Sequence, residues 1–316
     1  MEERSIGKSG LRVSVVGLGC NNFGRRIDFG ASEKVVHAAL DAGITFFDTA
    51  DVYYSELGSS EEFLGRALGA RRADVVVTTK VGMAMDKEGR LRGASRRYLT
   101  RAVEASLKRL NTDWIDLCQL HQPDPSVPIE ETLRTFDDLV RQGKVRYLGC
   151  SNMPAWQVVE ARWTSRQEGL EHFIALEDEY SLLARGSERD LIPVAERYGM
   201  GLLPFYPLAS GMLTGKYRRG SPLPADSRLG AHGARYGTRF VNDANFDVVE
   251  RLEAFCAARG RTLLELAFGW LLSHDAVPSV IAGATRVEQI GQNVAAAGWA
   301  LTPEERAEVD QISRSP

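Results

Sequence analysis

Eight short apolar runs recur along the chain, at Val13-Gly19, Ile44-Ala50, Val75-Thr79, Ile115-His121, Val145-Ser151, Phe173-Glu179, Gly201-Pro207 and Pro278-Gly283. Most lack the polar alternation of a half-exposed sheet, so they read as parallel strands covered on both faces. Their starts fall about 30 residues apart, except for one gap of 77 between residues 201 and 278. The gaps hold helical patterns, among them Ser32-Ala42, Ser60-Leu68, Arg97-Leu110 and Ile129-Arg141. Eight strand-helix units in 316 residues predict an α/β fold, a (β/α)8 TIM barrel forming a single domain over residues 1–316.

Boundary signals agree with this segmentation. Ser59-Ser60-Glu61-Glu62 has capping-box spacing, and Gly43, Gly69, Gly143, Gly199 and Gly260 each follow a helical stretch as C-terminal caps would. Residues 1–12 read as a short N-terminal cap, and Thr302-Ile312 as a terminal helix capped by Thr302 with Pro303 in its first turn. The long gap carries a Gly- and Arg-rich segment, Thr214 to Asn242, then helical patterns at Phe246-Arg259 and Leu263-Leu272. It predicts a long functional loop after strand seven and extra C-terminal helices.

Charge and composition narrow the function. The formal net charge is -3, with no basic stripe, which argues against a nucleic-acid partner. The N-terminus lacks the apolar core of a signal peptide, and the longest charge-free stretch, Gly199 to Gly215, is too short to span a bilayer. Cys20, Cys118, Cys150 and Cys256 show no metal-ligand spacing. A cytoplasmic protein with buried thiols, no metal and no membrane contact is expected. Gly17-Leu18-Gly19-Cys20-Asn21-Asn22 is not a Rossmann loop, because Asn22 stands where the third glycine is required and no helix opens directly after it.

Barrel enzymes place their chemistry at the C-terminal ends of the strands. There Asp48 ends the second run, Tyr53 follows in its loop, Lys80 ends the third and His121 the fourth. A phenol is a poor acid at neutral pH, but a neighbouring ammonium lowers its pKa and a carboxylate keeps that ammonium charged. Such a Tyr can protonate a developing alkoxide. Singly, Asp48 and Lys80 could be a structural ion pair; at successive strand ends with a phenol and an imidazole, the four point to a reaction site.

These residues resemble the aldo-keto reductase family. The likeness rests on Phe46, Asp48, Thr49, Ala50, Asp51 and Tyr53 with Ser60-Glu61-Glu62, Thr79-Lys80-Val81-Gly82, Leu120-His121 and Gly149-Cys150-Ser151-Asn152. It continues through Glu179-Tyr180-Ser181-Leu182-Leu183, Pro207-Leu208-Ala209-Ser210-Gly211, Thr214-Gly215-Lys216-Tyr217 and Gly283-Ala284-Thr285-Arg286 with Gln289 and Asn293. It spans roughly residues 5–312.

The resemblance implies reduction of a small-molecule aldehyde or ketone with NADPH, yielding NADP+, by a monomer or weak homo-oligomer. Tyr53 is then the acid, Lys80 and Asp48 its tuning pair, and His121 the group that orients the carbonyl. For the cofactor it implies Ser151, Asn152 and the residue at 177 at the nicotinamide amide, Phe205 against the ring, and Leu208, Ser210, Gly211, Leu213, Thr214 and Lys216 as a belt over the pyrophosphate. Gly283, Thr285, Arg286, Gln289 and Asn293 would take the 2′-phosphate and adenine at a helix N-terminus, where anions are favoured. Residue 177 departs from the pattern, being Glu where the family has Gln. Phe23, Tyr54, Met83 and Met85 are expected to line the substrate pocket. Two other readings remain: an NADP-binding regulatory or redox-sensing subunit on the same fold, and a lyase forming a Schiff base through Lys80, which the adjacent Asp48 disfavours by keeping that lysine charged.

Overall fold

The computed structural model describes residues 1–53, 58–231 and 239–314. An antiparallel hairpin, β1 (Glu3–Ser5) and β2 (Arg12–Ser14), precedes the barrel strands. These are β3 (Val16–Gly19), β4 (Phe46–Asp48), β5 (Val76–Val81), β6 (Ile115–Leu120), β7 (Val145–Ser151), β8 (Phe173–Glu179), β9 (Gly201–Phe205) and β10 (Val280–Gly283). All eight pair in parallel, in chain order from β3 to β9, with β10 beside β3. The Leu202 amide donates to Ala276 O at 2.7 Å, just ahead of β10, so the two free edges approach and the sheet nearly closes. The result is the (β/α)8 barrel that the spacing of apolar runs predicts.

The helices are α1 (Phe29–Asp41), α2 (Ser59–Leu68), α3 (Arg96–Leu110), α4 (Ile129–Arg141), α5 (Ala155–Glu168), α6 (Leu191–Tyr198), α7 (Asp243–Ala257), α8 (Leu263–Leu272), α9 (Val287–Ala296) and α10 (Pro303–Ser313). Their apolar faces and the outward side chains of the strands make one large core, while Ile6, Val13, Phe46, Leu117, Ala175 and Leu203 form a smaller one with the hairpin. The extra helices α7 and α10 pack on each other, with Arg259, just beyond α7, paired to Glu305 and Glu308. No helix among the described residues is long and apolar enough to cross a membrane.

Two boundary expectations change. The first strand is split: Val13 belongs to β2, and β3 starts only at Val16. The capping box at Ser59-Glu62 does not form, since the cap of α2 is Gly58, with no side-chain bond. Ser60 instead donates to Cys20 O at 2.8 Å, and Glu61 accepts from Thr79 Oγ1 at 2.5 Å and from Arg109 Nε at 2.6 Å. The cap thus falls one residue before the expected one, while Ser60 and Glu61 satisfy their buried polar groups across the fold. The Thr302 cap, with Pro303 in the first turn, is present as expected, and Glu305 completes a capping box there.

Helix α2 crosses α3 at Gly65, where a Cβ would lie 2.4 Å from Leu110 O. Backbone cannot step aside cheaply, so Gly65→Ala is expected to lower stability by ~2–3 kcal/mol. Gly291, exposed in α9 with nothing near its missing Cβ, gives the opposite sign, a gain of ~0.5–1 kcal/mol for Gly291→Ala. Urea unfolding of the two variants checks both signs.

Candidate active site

Beyond β4 the chain stays stitched to β5, with the Thr49 amide donating to Thr78 O at 2.9 Å and the Asp51 amide to Lys80 O at 3.0 Å. That continuation holds Asp48 beside Lys80 and delivers Tyr53 above them, its carbonyl accepting from the Ser60 amide at 3.2 Å. Lys80 Nζ donates to Asp48 Oδ1 at 2.5 Å and lies 5.5 Å from the centre of the Tyr53 ring. The Tyr53 and His121 rings meet edge to face, 6.0 Å between centroids. The four residues that sequence reasoning brought together are together.

Their electrostatics follow from burial and from charge. Burial works against the Lys80 ammonium, yet Asp48 and then Glu177 hold its pKa well above the ordinary lysine value. Burial pushes Asp48 up from the carboxylate range, with Glu177 adding to the rise and Lys80 opposing it. Burial and then the Lys80 charge drive His121 down to about 3, so its imidazole is neutral at physiological pH. Its Nδ1 is buried without a hydrogen-bond partner.

The group lies in a cavity of 980 Å³. Asp48, Tyr53 and His121 line it, as do Ser151, Asn152, Glu177, Phe205, Leu208, Ser210, Gly211, Thr214, Lys216, Gly283, Thr285, Arg286, Gln289, Asn293 and Met83. Lys80 sits behind Asp48 and Glu177, 1% exposed. Three expected liners are elsewhere. Phe23 is wholly buried, its apolar ring packed into the main core rather than along the cavity. Leu213, also fully buried, anchors the belt from beneath. Met85 packs against the core and is tied to Leu91 by its backbone. Tyr54 lies outside the described residues.

Glu177 is placed differently from its sequence-based assignment. Its Oε1 is 3.1 Å from Lys80 Nζ, and its Oε2 accepts from Gln119 Nε2 at 2.6 Å. Both carboxylate oxygens are therefore engaged within the protein, although the residue still contributes to the wall.

Several liners escaped sequence reasoning. Asn21 and Asn22 lie in the loop just beyond the first barrel strand and face the cavity, with Asn21 Oδ1 buried and unpartnered. The rule applied to the other strands would have found them, had the loop not been set aside as a failed Rossmann motif. Arg26 and Arg228 join Lys216 and Arg286 to make four cations at the rim. Lys216 is lowered by burial first and then by Arg26; Arg26 is lowered by burial and then by Arg228. Like charges are thus gathered at one rim, where they repel one another. The belt is also strained: Tyr206, Ala209 and Ser210 have φ of 50°, 45° and 57°, as does Asn152 at 54°.

Comparison with known proteins agrees with this geometry. A family model described as "Aldo/keto reductase family" matches residues 15–314. A probable voltage-gated potassium channel subunit beta of Oryza sativa subsp. japonica is 36% identical over 326 residues, covering 100% of this chain and 97% of that protein. The L-glyceraldehyde 3-phosphate reductase of Escherichia coli (strain K12) is 33% identical, covering 98% and 92%. The uncharacterized oxidoreductase YrpG of Bacillus subtilis (strain 168) is 34% identical, covering 96% and 93%. The chain belongs to the aldo/keto reductase family, and oxidoreduction is the class of chemistry its relatives support.

The depressed His121 pKa has a direct consequence. Nitrogen-detected NMR of the histidine rings should show His121 still neutral at pH 5, with protonation only towards about 3. A midpoint near the free value of ~6.5 would mean that its ring is not desolvated.

Proposed function

We propose that this chain reduces an aldehyde or ketone to an alcohol with NADPH, using Tyr53 as the proton donor. The observation that carries this reading is the convergence of Tyr53, Asp48 and neutral His121, backed by Lys80, at one large cavity that four cations also line.

The residues present fit a dinucleotide. Ser210 Oγ is buried without a partner, as is Asn21 Oδ1, and such atoms are costly unless a ligand pairs them. Gly211 has a φ of 98°, a backbone conformation that favours glycine, and the missing Cβ leaves the Lys216 side chain free to lie along the belt. Asn152 Nδ2 already donates to His121 O and to Ser151 Oγ, both at 3.0 Å. What remains is the Asn152 carbonyl as acceptor and the Ser151 hydroxyl as donor, the complement of a carboxamide. Phe205 offers a ring face, while Lys216, Arg286, Thr285 and the amides opening α9 suit phosphates. Gln289 is partly committed, its Oε1 accepting from the Thr285 amide at 2.7 Å, and Asn293 lines the wall nearby.

When bound, the reduced dinucleotide supplies the hydride. The protein's own part is the proton. His121 is neutral, so it hydrogen-bonds a carbonyl oxygen without protonating it, and aims that oxygen at Tyr53. Lys80 stabilises the phenolate left after Tyr53 gives up its proton, and Asp48 keeps Lys80 charged.

A second reading, NADP binding in a regulatory or redox-sensing subunit, is favoured by the name of the potassium-channel relative. It uses the same residues with slow turnover. NADPH oxidation against a panel of aldehydes, ketones and quinones separates the two: rapid turnover supports the reductase, and tight binding with none supports the sensor.

Tyr53→Phe should bind NADPH nearly as the wild type does and lose at least ~100-fold in turnover; a near-normal kcat would remove Tyr53 from the mechanism. Arg286→Ala should raise the NADPH dissociation constant ~10–100-fold and leave that of NADH almost unchanged, by loss of a charge-assisted contact to the 2′-phosphate. Equal losses for both cofactors in a fluorescence titration would place Arg286 away from that phosphate.

A further inference from the structure

We propose that Glu177 is a positioning residue of the acid-base centre: it shares the Lys80 ammonium with Asp48, and the second carboxylate biases the cavity towards the oxidised, cationic form of the dinucleotide. The bias towards one redox state rests on the reading above; the shared ammonium is visible in the side chains themselves.

Lys80 Nζ has three donors and three acceptors around it: Asp48 Oδ1 at 2.5 Å, Glu177 Oε1 at 3.1 Å and Thr49 O at 3.2 Å. All three side chains are 5% exposed or less. Glu177 is on β8 and Lys80 on β5, so the contact crosses the barrel interior. Gln119 on β6 fixes it, donating to Glu177 Oε2 at 2.6 Å and to Thr78 Oγ1 at 3.1 Å. Gly149 on β7, in register with Gln119, leaves the room, since a Cβ there would lie 3.0 Å from Gln119 Cγ.

With Gln at position 177, Asp48 alone would balance Lys80, and the trio would be neutral. With Glu, two carboxylates face one ammonium, a net charge of -1 when both are ionised. Glu177 also lines the cavity, so that charge faces whatever ring occupies it. An oxidised nicotinamide is cationic and the reduced one neutral, so the excess charge discriminates between them. The other titratable groups around Lys80 and Glu177 are Tyr53, neutral His121, Cys20, Asp51 and Asp178. Burial pushes Cys20, Asp51 and Asp178 up, away from added negative charge. Asp48 rises to about 7, burial and Glu177 being the causes, so the trio gains a proton on moderate acidification.

The test is the ratio of NADP+ to NADPH dissociation constants, read from intrinsic fluorescence in wild type and Glu177→Gln at pH 8.5. Coulomb attraction at an effective dielectric of ~20, discounted for screening, predicts a ratio about fivefold higher in the variant. The wild-type ratio should also rise between pH 8.5 and 6.5 while that of the variant stays flat; the 2′-phosphate titrates in both cofactor forms and cancels. If both constants move in parallel, Glu177 is structural only and the proposal fails. A cofactor-free measurement separates this failure from that of the functional reading. Carbon-detected NMR of the apo protein should show the Asp48 carboxyl midpoint falling by at least one pH unit in Glu177→Gln, and an unchanged midpoint overturns the shared ammonium. Wild type that binds neither dinucleotide overturns the functional reading and the redox bias with it, while the carboxyl titration still decides the shared ammonium.

Discussion

An ammonium group with 1% exposure in the middle of a barrel is the interaction on which the rest depends. An isolated charge there is prohibitive, so partners have to be delivered from several strands at once. Asp48 comes from β4, the Thr49 carbonyl from the turn after it, and Glu177 from β8, held by Gln119 on β6. These contacts exist only when the sheet curls round far enough for β8 to face β5. Closure and charge compensation are thus one requirement, and a slip of one residue in β8 would turn Glu177 out of the interior.

Around this fixed floor the rim is made of loops in unfavourable backbone conformations. Tyr206, Ala209 and Ser210 occupy the left-handed region, where a side chain costs ~1 kcal/mol or more each. Burial of Met212 and Leu213 offsets this by pinning the segment to the core, so the strained turns stay aimed at the cavity. The leucine that looked like a binding residue in the sequence is instead an anchor beneath neighbours that line the cavity.

Much of this was legible in the sequence, for identifiable reasons. Strands β7 and β8 and helices α4 and α8 fall where the apolar runs and helical periods put them, because parallel strands and amphipathic helices write their burial directly into residue order. Asp48, Tyr53, Lys80 and His121 were visible as polar groups ending apolar runs. Contacts across the barrel were not visible, since nothing in the order of residues 80, 119 and 177 states that they meet. Nor could sequence separate Phe23 from Asn21 and Asn22, adjacent residues of which one turns inward and two line the cavity. The expected cap at Ser59 failed for a different reason: α2 opens one residue earlier, with Gly58 at the cap and Ser59 already in the first turn, and a glycine carries no side chain to close a box.

The net charge of -3 conceals a polarised cavity. Its floor holds two carboxylates and one ammonium; its rim gathers Arg26, Lys216, Arg228 and Arg286, with the nearby Asp226 4.0 Å from Arg286. Averaged over the chain, such opposed charges cancel and vanish from composition. Across the cavity they add, because each end attracts one sign of charge and repels the other. On the proposed function, a ligand with phosphates at one end and a ring that becomes cationic at the other would be orientated by that field before any hydrogen bond forms. The same field opposes the reversed pose, which would set phosphates against Glu177 and Asp48. On the proposed function, contacts at Ser151, Asn152 and Thr285 need only refine a direction that this field sets.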